Sequence, residues 1–372
     1  MTLQKRSLAV RTFGLALRLS NKLAALPNRL VPPPFRLIQI GSSFWQARAL
    51  YVAARLDLAT ALADRVLSAP DLAAEVGANA DALGRLLRML AAMGVFEETS
   101  PGRWRNNALS APLRRDRSDN VRAMVLMHNS PEMSRPWFET LEQGIRTGDV
   151  PFELSHGEEF YAYMDRHPDF NRLFAEAMGR LEHVAGAAFA TDFDWDRFDR
   201  VIDVGGAHGA KAVAILKRHP HMRAVVVDRE AIIDDASRHW AGRDGAECLA
   251  RIDFLAGDVL RSVPTGKDSR DIYLLSAVLH GFGDDACVKA LSTVAAAARP
   301  VGAAIVLLEM VFPAFRADMT ATAMDMQMLM ATRGRERTEK EWRRLFDSAG
   351  VGLVETVGLT SIGQLLVLTP TP

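Results

Sequence analysis

The sequence is poor in cysteine and has no net charge, and both absences exclude classes of protein. Of its 372 residues only Cys248 and Cys287 are cysteines, too few for a disulfide framework or a cysteine-based metal cluster. The 45 basic and 45 acidic side chains cancel, so no field of the whole molecule attracts nucleic acid. We therefore expect a protein of the reducing cytoplasm that holds no metal and binds no nucleic acid.

Long apolar runs and internal repeats are also missing. No stretch of the sequence is apolar enough for a signal sequence or a membrane span. Apolar residues nevertheless make up 49% of the chain, which is enough to bury a large core. The length favours two domains over one.

Acidic residues are absent from residues 1–34, which we interpret as a basic arm that ends at Pro32-Pro33-Pro34. The basic residues of the arm are Lys5, Arg6, Arg11, Arg18, Lys22 and Arg29. The last four recur at intervals of seven, four and seven residues and so share one stripe of a helix. Two interpretations stay open: an amphipathic helix on an anionic membrane surface, or the more common solvated or subunit-contacting arm.

The pattern of residues 35–122 predicts a small, mostly helical domain. The run from Phe35 to Ala63 is helical, with four residues at core spacing: Trp45, Ala49, Ala53 and Leu56. Two shorter helices and then two strands are expected at Ala69–Val76, Ala80–Met93, Val95–Glu98 and Arg103–Asn106. Helix, turn, helix and hairpin in that order are the outline of a winged helix.

Winged helices often bind DNA through the second helix of the pair, which here spans Asp81 to Met93. That helix carries Arg85 and Arg88 among leucines, whereas a helix that reads a DNA groove needs a basic, polar face. DNA binding is therefore disfavoured.

Residues 123–195 again have helical periodicity, and from residue 196 strand-like and helical stretches alternate. The expected strands are Val201–Val204, Ala224–Val227, Ile252–Leu255, Ile272–Leu275, Ala303–Leu308, Gly352–Leu359 and Gln364–Leu368. Such alternation predicts an α/β fold with a Rossmann-like, doubly wound and mainly parallel sheet. The link Thr360–Gly363 is too short for a crossover helix, so the last strand should be antiparallel.

The most informative motif follows the first of these strands, where Asp203 precedes glycines at 205, 206 and 209. A strand that turns at glycines into a helix lets a ligand approach the backbone closely. A dinucleotide fingerprint would need glycine in place of Ala207 and Ala210, so a nicotinamide cofactor is disfavoured. S-adenosylmethionine, which has no phosphate, fits better, with Asp228 placed to bind the ribose hydroxyls. The alternative is a tight turn that binds no ligand.

Further motifs follow one another in a fixed order between Pro34 and Val367. They are Asp169-Phe170-Asn171, Val201 to Gly209, Gly257-Asp258, Leu279-His280 with Asp284-Asp285, Leu308-Glu309 and Gly334-Arg335-Glu336-Arg337-Thr338. With them the chain resembles the class I S-adenosylmethionine-dependent O-methyltransferases of the plant caffeic-acid and bacterial antibiotic-tailoring type. Single short motifs are weak evidence, whereas an ordered series is strong.

The resemblance implies a homodimeric enzyme that uses S-adenosylmethionine to methylate a hydroxyl of an aromatic or polyketide-like small molecule. In that family a histidine at the position of His280 removes the proton of the acceptor hydroxyl, and acids at Glu309 and Glu336 flank the ring. An imidazole suits the task because its ordinary pKa lies near working pH. Considered alone, a histidine at a strand end is more often structural.

The same resemblance implies roles for the rest of the site and for the domains. Those implied in cofactor binding are Asp203, Gly205, Gly206, Gly209, Asp228, Asp258, Val259 and Ser276. Those implied in acceptor binding are His128, Asn129, Met133, Trp137, Phe174 and Met178, all residue types that also pack in ordinary cores. The implied domains are a winged-helix-like dimerisation domain (35–122), an acceptor-lining helical segment (123–195) and a catalytic domain that binds S-adenosylmethionine (196–372).

The chain departs from the family pattern at positions near the histidine and near the cofactor. Gly281 replaces the acid that follows the histidine in many relatives, so recognition of the acceptor must differ. Ser276 and Val259 replace a basic residue and a methionine near the cofactor. Two alternatives therefore stay open: an enzyme of this fold that uses S-adenosylmethionine for hydroxylation, decarboxylation or cyclisation, and a winged-helix regulator that senses the cofactor.

Overall fold

A computed structural model describes residues 9–10, 12, 15–16, 19, 31–361 and 363–371, without the side chains of residues 231, 235 and 237. The basic residues of the predicted arm lie outside this described part, so both interpretations of the arm stay open. The chain divides into two compact units, an N-terminal unit within Lys22–Val184 and a C-terminal unit that contains Ala185–Pro372. The domain boundaries expected after residues 34, 122 and 195 stay predictions.

The described part of the N-terminal unit starts with the helices Pro33–Gly41, Ser43–Arg55 and Leu58–Leu62, where one continuous run was predicted. The run is broken at Ser42, whose hydroxyl donates a hydrogen bond back to the carbonyl oxygen of Ile38 at 2.9 Å. It is broken again at Asp57, which has a φ of 58°. That left-handed conformation cannot continue an α-helix.

One core prediction in this region is wrong, because Trp45 is 59% exposed. Spacing alone groups Trp45 with Ala49 and Ala53, but the core on which this helix packs begins only at Ala49. Trp45 is instead one of several exposed apolar side chains on the first two helices, together with Phe35, Leu37, Ile38, Ile40, Phe44 and Val52. Many exposed apolar side chains on one segment are typical of a contact with another subunit.

The predicted helix pair and hairpin are present in the same unit. Helices Ala69–Val76 and Ala80–Ala92 are followed by the antiparallel strands β2 (Phe96–Ser100) and β3 (Arg103–Asn106). A short strand β1 (Leu67–Ser68) adds to β3. Ser68 and Asp71 form a capping box that fixes the start of the first helix. The core of these elements includes Leu62, Leu72, Leu87 and Trp104.

The predicted helical segment after residue 122 is a series of short helices and one long one. They are Arg122–His128, Pro131–Glu139, Leu141–Thr147, Pro151–His156, Phe160–Arg166, Pro168–Ala185 and Ala188–Thr191. Prolines open three of them, which suits the first position of a helix, where no backbone donor is needed.

The C-terminal unit is built on a seven-stranded sheet of β4 (Arg200–Val204), β5 (Arg223–Asp228), β6 (Ile252–Ala256), β7 (Asp271–Ser276), β8 (Ala304–Glu309), β11 (Val351–Gly358) and β12 (Gln364–Pro370). The strands lie in the order β11-β12-β8-β7-β4-β5-β6. All pairings from β6 to β8 are parallel, and β12 is antiparallel to both of its neighbours. The predicted mainly parallel sheet with an antiparallel last strand is confirmed.

Helices cover both faces of this sheet, so its strands are apolar on both sides. The main ones are Ala210–Arg218, Glu230–Trp240, Asp284–Ala298 and Glu339–Ala349. Successive residues of β4 alternate between the two cores, with Val201 in one and Ile202 in the other. A separate parallel pair, β9 (Val311–Phe312) and β10 (Arg337–Thr338), lies beyond the end of β8.

Among the helices in the described residues, none has both the length and the apolar character that crossing a membrane requires.

Candidate active site

The strand order creates a topological switch point between β4 and β7. From β4 the chain proceeds outward through β5 and β6, and it then returns to place β7 on the other side of β4. The carboxyl ends of β4 and β7 therefore lie side by side, at the edge where such sheets bind ligands. The glycine loop (Gly205–Gly209) follows β4, and the His280 turn (Leu279–Phe282) follows β7.

The glycine loop has a backbone that few other residues could adopt. Gly205 and Gly209 have φ angles of 73° and 82°, and Ala207 between them has a φ of 49°. A Cβ atom on Gly205 would lie 2.7 Å from Cγ2 of Val278, the residue just before the His280 turn. The loop therefore packs directly against the segment that carries the predicted base.

Two buried or partly buried acids support this loop. Asp203 is fully buried beneath it, and a Cβ atom on Gly206 would lie 2.6 Å from the Asp203 carboxyl carbon. Asp228 ends β5, and its Oδ2 accepts a hydrogen bond from the Ala207 amide at 2.8 Å. Its Oδ1 accepts another from the Arg229 amide at 2.7 Å. These bonds fix the Asp228 carboxylate and leave lone pairs for a ligand.

The remaining predicted cofactor residues lie at the same edge of the sheet. Gly257 donates its amide hydrogen to the carbonyl oxygen of Asp228 at 2.9 Å, which places the next two residues beside Asp228. Asp258 is exposed there and accepts a hydrogen bond from the Leu260 amide, whereas Val259 packs on the core. Ser276 is half-buried at the end of β7.

This arrangement fits S-adenosylmethionine. A close-packed glycine loop admits an amino acid end to the backbone, and a fixed carboxylate one strand away suits a ribose diol. Asp258 lies two residues after the end of β6, and its contact with the adenine stays a prediction. Ala207 and Ala210 remain in the positions where a dinucleotide fingerprint needs glycine.

The predicted base is held by the two predicted acids. Nδ1 of His280 lies 3.0 Å from Oε1 of Glu336. Glu309 ends β8, which pairs with β7, and its Oε1 accepts a hydrogen bond from the Leu279 amide at 3.0 Å. Both glutamates are buried, whereas the His280 side chain is 20% exposed. The imidazole is therefore fixed on one side and open on the other.

The surroundings of His280 change its proton affinity. Burial alone would lower the pKa of His280, but the hydrogen bond to Glu336 and the charges of Glu309 and Glu336 outweigh it, so the pKa is raised. Burial, with the charge of Glu336, raises the pKa of Glu309 to about 7. Oε2 of each glutamate is buried without a hydrogen bond to the described residues.

The sequence separates Glu309 and Glu336 by more than twenty residues, and the β9–β10 pair brings them together. Arg337 pairs in register with Val311, so Glu336 lies beside the end of β8 where Glu309 sits. The Glu336 amide also donates a hydrogen bond to Oδ1 of Asp325 at 2.9 Å. A two-residue pairing is too short to be detected from hydrophobic periodicity.

The motif Gly334 to Thr338 includes Arg337 but predicted no role for it, yet this residue contacts the His280 turn directly. Its side chain is 1% exposed and donates hydrogen bonds to the carbonyl oxygens of Leu279 and Phe282. The available signal was its place in that motif, immediately after Glu336.

The six predicted acceptor residues all lie in the N-terminal unit. His128 and Asn129 end the helix Arg122–His128. The other four form two pairs at a spacing of four residues, on the helices Pro131–Glu139 and Pro168–Ala185: Met133 with Trp137 and Phe174 with Met178. Met133 is buried, and Phe174 packs edge-to-face on Phe160 with ring centres 5.4 Å apart. Their role in acceptor binding stays a prediction.

Two family models match the chain. An O-methyltransferase dimerisation domain matches residues 38–115, and an O-methyltransferase domain matches residues 138–352, which is more than half of the chain. The phenazine O-methyltransferase PhzM of Lysobacter antibioticus is 32% identical over 348 residues, which cover 94% of this chain and 98% of that relative.

Solved structures agree with this result. The crystal structure of LaPhzM matches with a TM-score of 0.83 at 30% identity, over 91% of this chain and 100% of that one. NcsB1, an O-methyltransferase from neocarzinostatin biosynthesis, was solved in complex with S-adenosylmethionine and 2-hydroxy-5-methyl naphthoic acid. It matches with a TM-score of 0.74 at 28% identity, over 87% of this chain and 96% of that one.

The dimerisation domain supports a homodimer, and it includes most of the exposed apolar residues around Trp45. The catalytic domain supplies a glycine loop and a fixed Asp228 that suit an adenosyl cofactor. On the family models, the relatives and this geometry together, the chain belongs to the S-adenosylmethionine-dependent O-methyltransferases.

Proposed function

We propose that this enzyme methylates a hydroxyl group of an aromatic or polyketide-like small molecule, with His280 as the general base. One observation carries the proposal: Nδ1 of His280 is held by Glu336 at 3.0 Å, which leaves Nε2 available to an acceptor. The imidazole lies on the turn that follows Val278, and Val278 packs against the glycine loop. The base and the cofactor-binding loop are thus neighbours in one structural unit.

In the proposed reaction His280 begins neutral, with its proton on Nδ1 directed at Glu336. Nε2 then accepts the proton of the acceptor hydroxyl as the oxygen becomes nucleophilic. The resulting imidazolium is stabilised by the carboxylate of Glu336 and by Glu309, which holds the Leu279 amide at 3.0 Å. The raised pKa of His280 favours this transfer because the ring binds the proton more tightly.

S-adenosylmethionine, when bound, supplies a methyl group already activated by the positive sulfur. We propose that Asp228 holds the ribose hydroxyls, that Asp258 approaches the adenine and that the glycine loop receives the amino acid end. Asp203, Val259 and Ser276 complete this site from the ends of β4, β6 and β7. The protein's task is then to align the reactants and exclude water.

The substrate class follows from two sources. The relatives act on phenazines or were crystallised with a naphthoic acid, both of which are flat aromatic molecules. The acceptor residues that we propose are apolar or aromatic with two polar members: Met133, Trp137, Phe174 and Met178, with His128 and Asn129. Such a set suits a flat ring with one or two polar groups. Replacing any one of the six should raise KM for the acceptor more than KM for the cofactor.

Incubation with methyl-labelled S-adenosylmethionine and a panel of hydroxylated phenazines, naphthoic acids and quinones tests the proposal. We expect label in the product ether and equimolar S-adenosylhomocysteine. Consumption of an acceptor without transfer of label would overturn methylation. It would favour hydroxylation, decarboxylation or cyclisation on the same fold, an alternative that Gly281 leaves open.

We further propose a cytoplasmic location. Cys248 and Cys287 are both buried free thiols, a state that a reducing compartment preserves. Separating cell fractions and locating the activity tests this assignment, and the membrane fraction tests the surface-binding interpretation of the basic arm.

A further inference from the structure

Residues 335 and 337 donate hydrogen bonds to three of the four backbone carbonyl groups of the His280 turn. Nη1 of Arg337 donates to the Leu279 carbonyl at 3.2 Å, and Nη2 donates to the Phe282 carbonyl at 2.7 Å. Between them the His280 carbonyl accepts the Arg335 amide at 2.9 Å. The segment that supplies Glu336 to the imidazole therefore also fixes the turn that carries the imidazole.

Arg337 is itself fixed on its other sides. Its Nε and Nη2 donate to Oδ1 of Asp284 at 3.0 and 2.8 Å. Its guanidinium lies 5.2 Å from the ring centre of Trp342, at the distance of a cation–π contact. A guanidinium suits these contacts because it presents several donors in one rigid plane. Arg337 thus links the start of the helix Asp284–Ala298 to the His280 turn.

The close approach of the two segments depends on Gly334. A Cβ atom there would lie 1.9 Å from the His280 carbonyl oxygen and 2.6 Å from the carbonyl carbon of Gly281. Only a residue without a side chain lets residues 334–337 lie against the turn. The segment thus contacts the His280 turn on both sides of Glu336 in sequence, through the backbone of Gly334 and through the side chain of Arg337.

We propose that Arg337 is a positioning residue for methyl transfer. It holds the His280 turn in the conformation in which Nδ1 of His280 faces Glu336 and Nε2 faces the acceptor. Arg337 does not touch the reacting atoms and acts through His280. This inference rests on the proposed role of His280 as the base. A fixed ring matters because a misplacement of about 1 Å in such a site costs on the order of a hundredfold in rate.

A burial role alone does not account for these contacts. An apolar side chain of similar size would fill the same space without burying a charge, which is costly unless the charge is paired. What the arginine adds is a set of hydrogen bonds to two carbonyl groups of an irregular turn. With Arg337 replaced, the Leu279 carbonyl would keep the Phe282 amide at 3.1 Å and the weak donor Sγ of Cys287 at 3.1 Å, whereas the Phe282 carbonyl would keep that thiol alone, at 3.5 Å.

The experiment compares Arg337→Lys with Arg343→Lys, a matched change in an exposed ion pair to Glu339 on the next helix. Lysine keeps the charge but cannot reproduce the planar fork. We expect Arg337→Lys to lower kcat about tenfold to a hundredfold, with the cofactor Kd unchanged. Arg343→Lys should leave kcat within about twofold of the parent, since exposed pairs contribute little.

A second measurement separates positioning from general loosening. The sequence has nine histidines, so nitrogen-15 spectra of the side chains, assigned with His280→Ala, report the tautomer of His280 without turnover. We expect a single Nδ1–H tautomer in the parent and a mixture in Arg337→Lys. An unchanged tautomer, or an unchanged kcat, would overturn the inference.

Asp284→Asn provides a variant that tests the same link if Arg337→Lys does not fold. The Asp284 side chain is 55% exposed, and the change removes the counter-charge of Arg337 while keeping its shape. We expect the same shift of tautomer and a smaller loss of kcat. If His280→Ala remained active while Arg337→Lys still altered the tautomer, the general base would be refuted and the contact between Arg337 and the turn would stand.

Discussion

The glycine loop and the His280 turn lie at neighbouring strand ends but are built in different ways. The loop is one continuous segment, and its shape comes from the φ angles of Gly205, Ala207 and Gly209. The turn depends on groups from two distant segments, one with Glu309 and the other with Glu336 and Arg337. Substitutions in or beside the loop should therefore weaken cofactor binding. Substitutions at several positions remote in sequence should instead lower the catalytic rate, because they disturb the turn.

The largest expected effect is at the turn itself. We expect His280→Ala to lower kcat about a hundredfold to ten-thousandfold, the usual range for loss of a general base, with little change in cofactor Kd. The matched control is His221→Ala. His221 is an exposed histidine that is hydrogen-bonded to the Phe198 carbonyl oxygen and lies just before the start of β5. Steady-state rates and calorimetry with S-adenosylhomocysteine measure both quantities. Near-normal turnover in His280→Ala would refute the assignment.

The next effect tests the remote support of the turn. Gly334→Ala adds a methyl group that would lie 1.9 Å from the His280 carbonyl oxygen, so one of the two segments must move. We expect kcat to fall about a hundredfold with the cofactor Kd unchanged. Gly352→Ala is the control, because its added methyl would make only an ordinary contact with Thr371 at 3.8 Å. Equal rates in the two variants would contradict the close approach.

Asp228→Ala tests cofactor binding beside the glycine loop separately from catalysis at the turn. Loss of a charged hydrogen-bond acceptor for the ribose should weaken cofactor binding by about 1.5–3 kcal/mol, or roughly tenfold to a hundredfold in Kd. At saturating cofactor we expect kcat to stay within about twofold of the parent. Asp253→Ala, an exposed acid on β6, serves as the control. A large loss of kcat with an unchanged cofactor Kd would contradict the assignment of cofactor binding to the loop and of catalysis to the turn.

The smallest expected effect is a shift in the pH dependence of catalysis at the turn. The base must be neutral to act, so activity falls as pH falls through the pKa of His280, which its acidic partners raise. Glu336→Gln keeps a hydrogen-bond acceptor but removes a charge, which lowers that pKa. We expect the acidic limb of the rate profile to move to lower pH by about one unit, with a kcat about tenfold lower.

The control for that profile is Glu339→Gln, an exposed change on the next helix that should leave the limb in place. A limb that stays fixed or moves to higher pH in Glu336→Gln would show that Glu336 does not set the proton affinity of His280.

Sequence patterns predicted the sheet well, including the antiparallel β12, because strand periodicity and the length of the link after β11 are local properties. They failed at Trp45, which has core spacing but is 59% exposed. Periodicity reports which residues share a helix face and not what covers that face. A second subunit covers it as readily as the chain's own core.

For the site, the order of motifs sufficed to place His280, Glu309 and Glu336 in one constellation. It assigned nothing to Arg337, since a lone arginine in a charged segment looks like any solvated residue. Its burial at 1% exposure arises only when β9 pairs with β10 and residues 334–337 fold against the turn.

The amino acid order alone determined the doubly wound architecture, the glycine loop and the kind of cofactor, because each depends on neighbours in the chain. Tertiary structure alone decided which way the imidazole faces and what holds it, because the hydrogen bonds that fix it join strand ends and loops about 30 to 60 residues apart. Proximity of that kind is created by folding and leaves no periodic trace in the sequence.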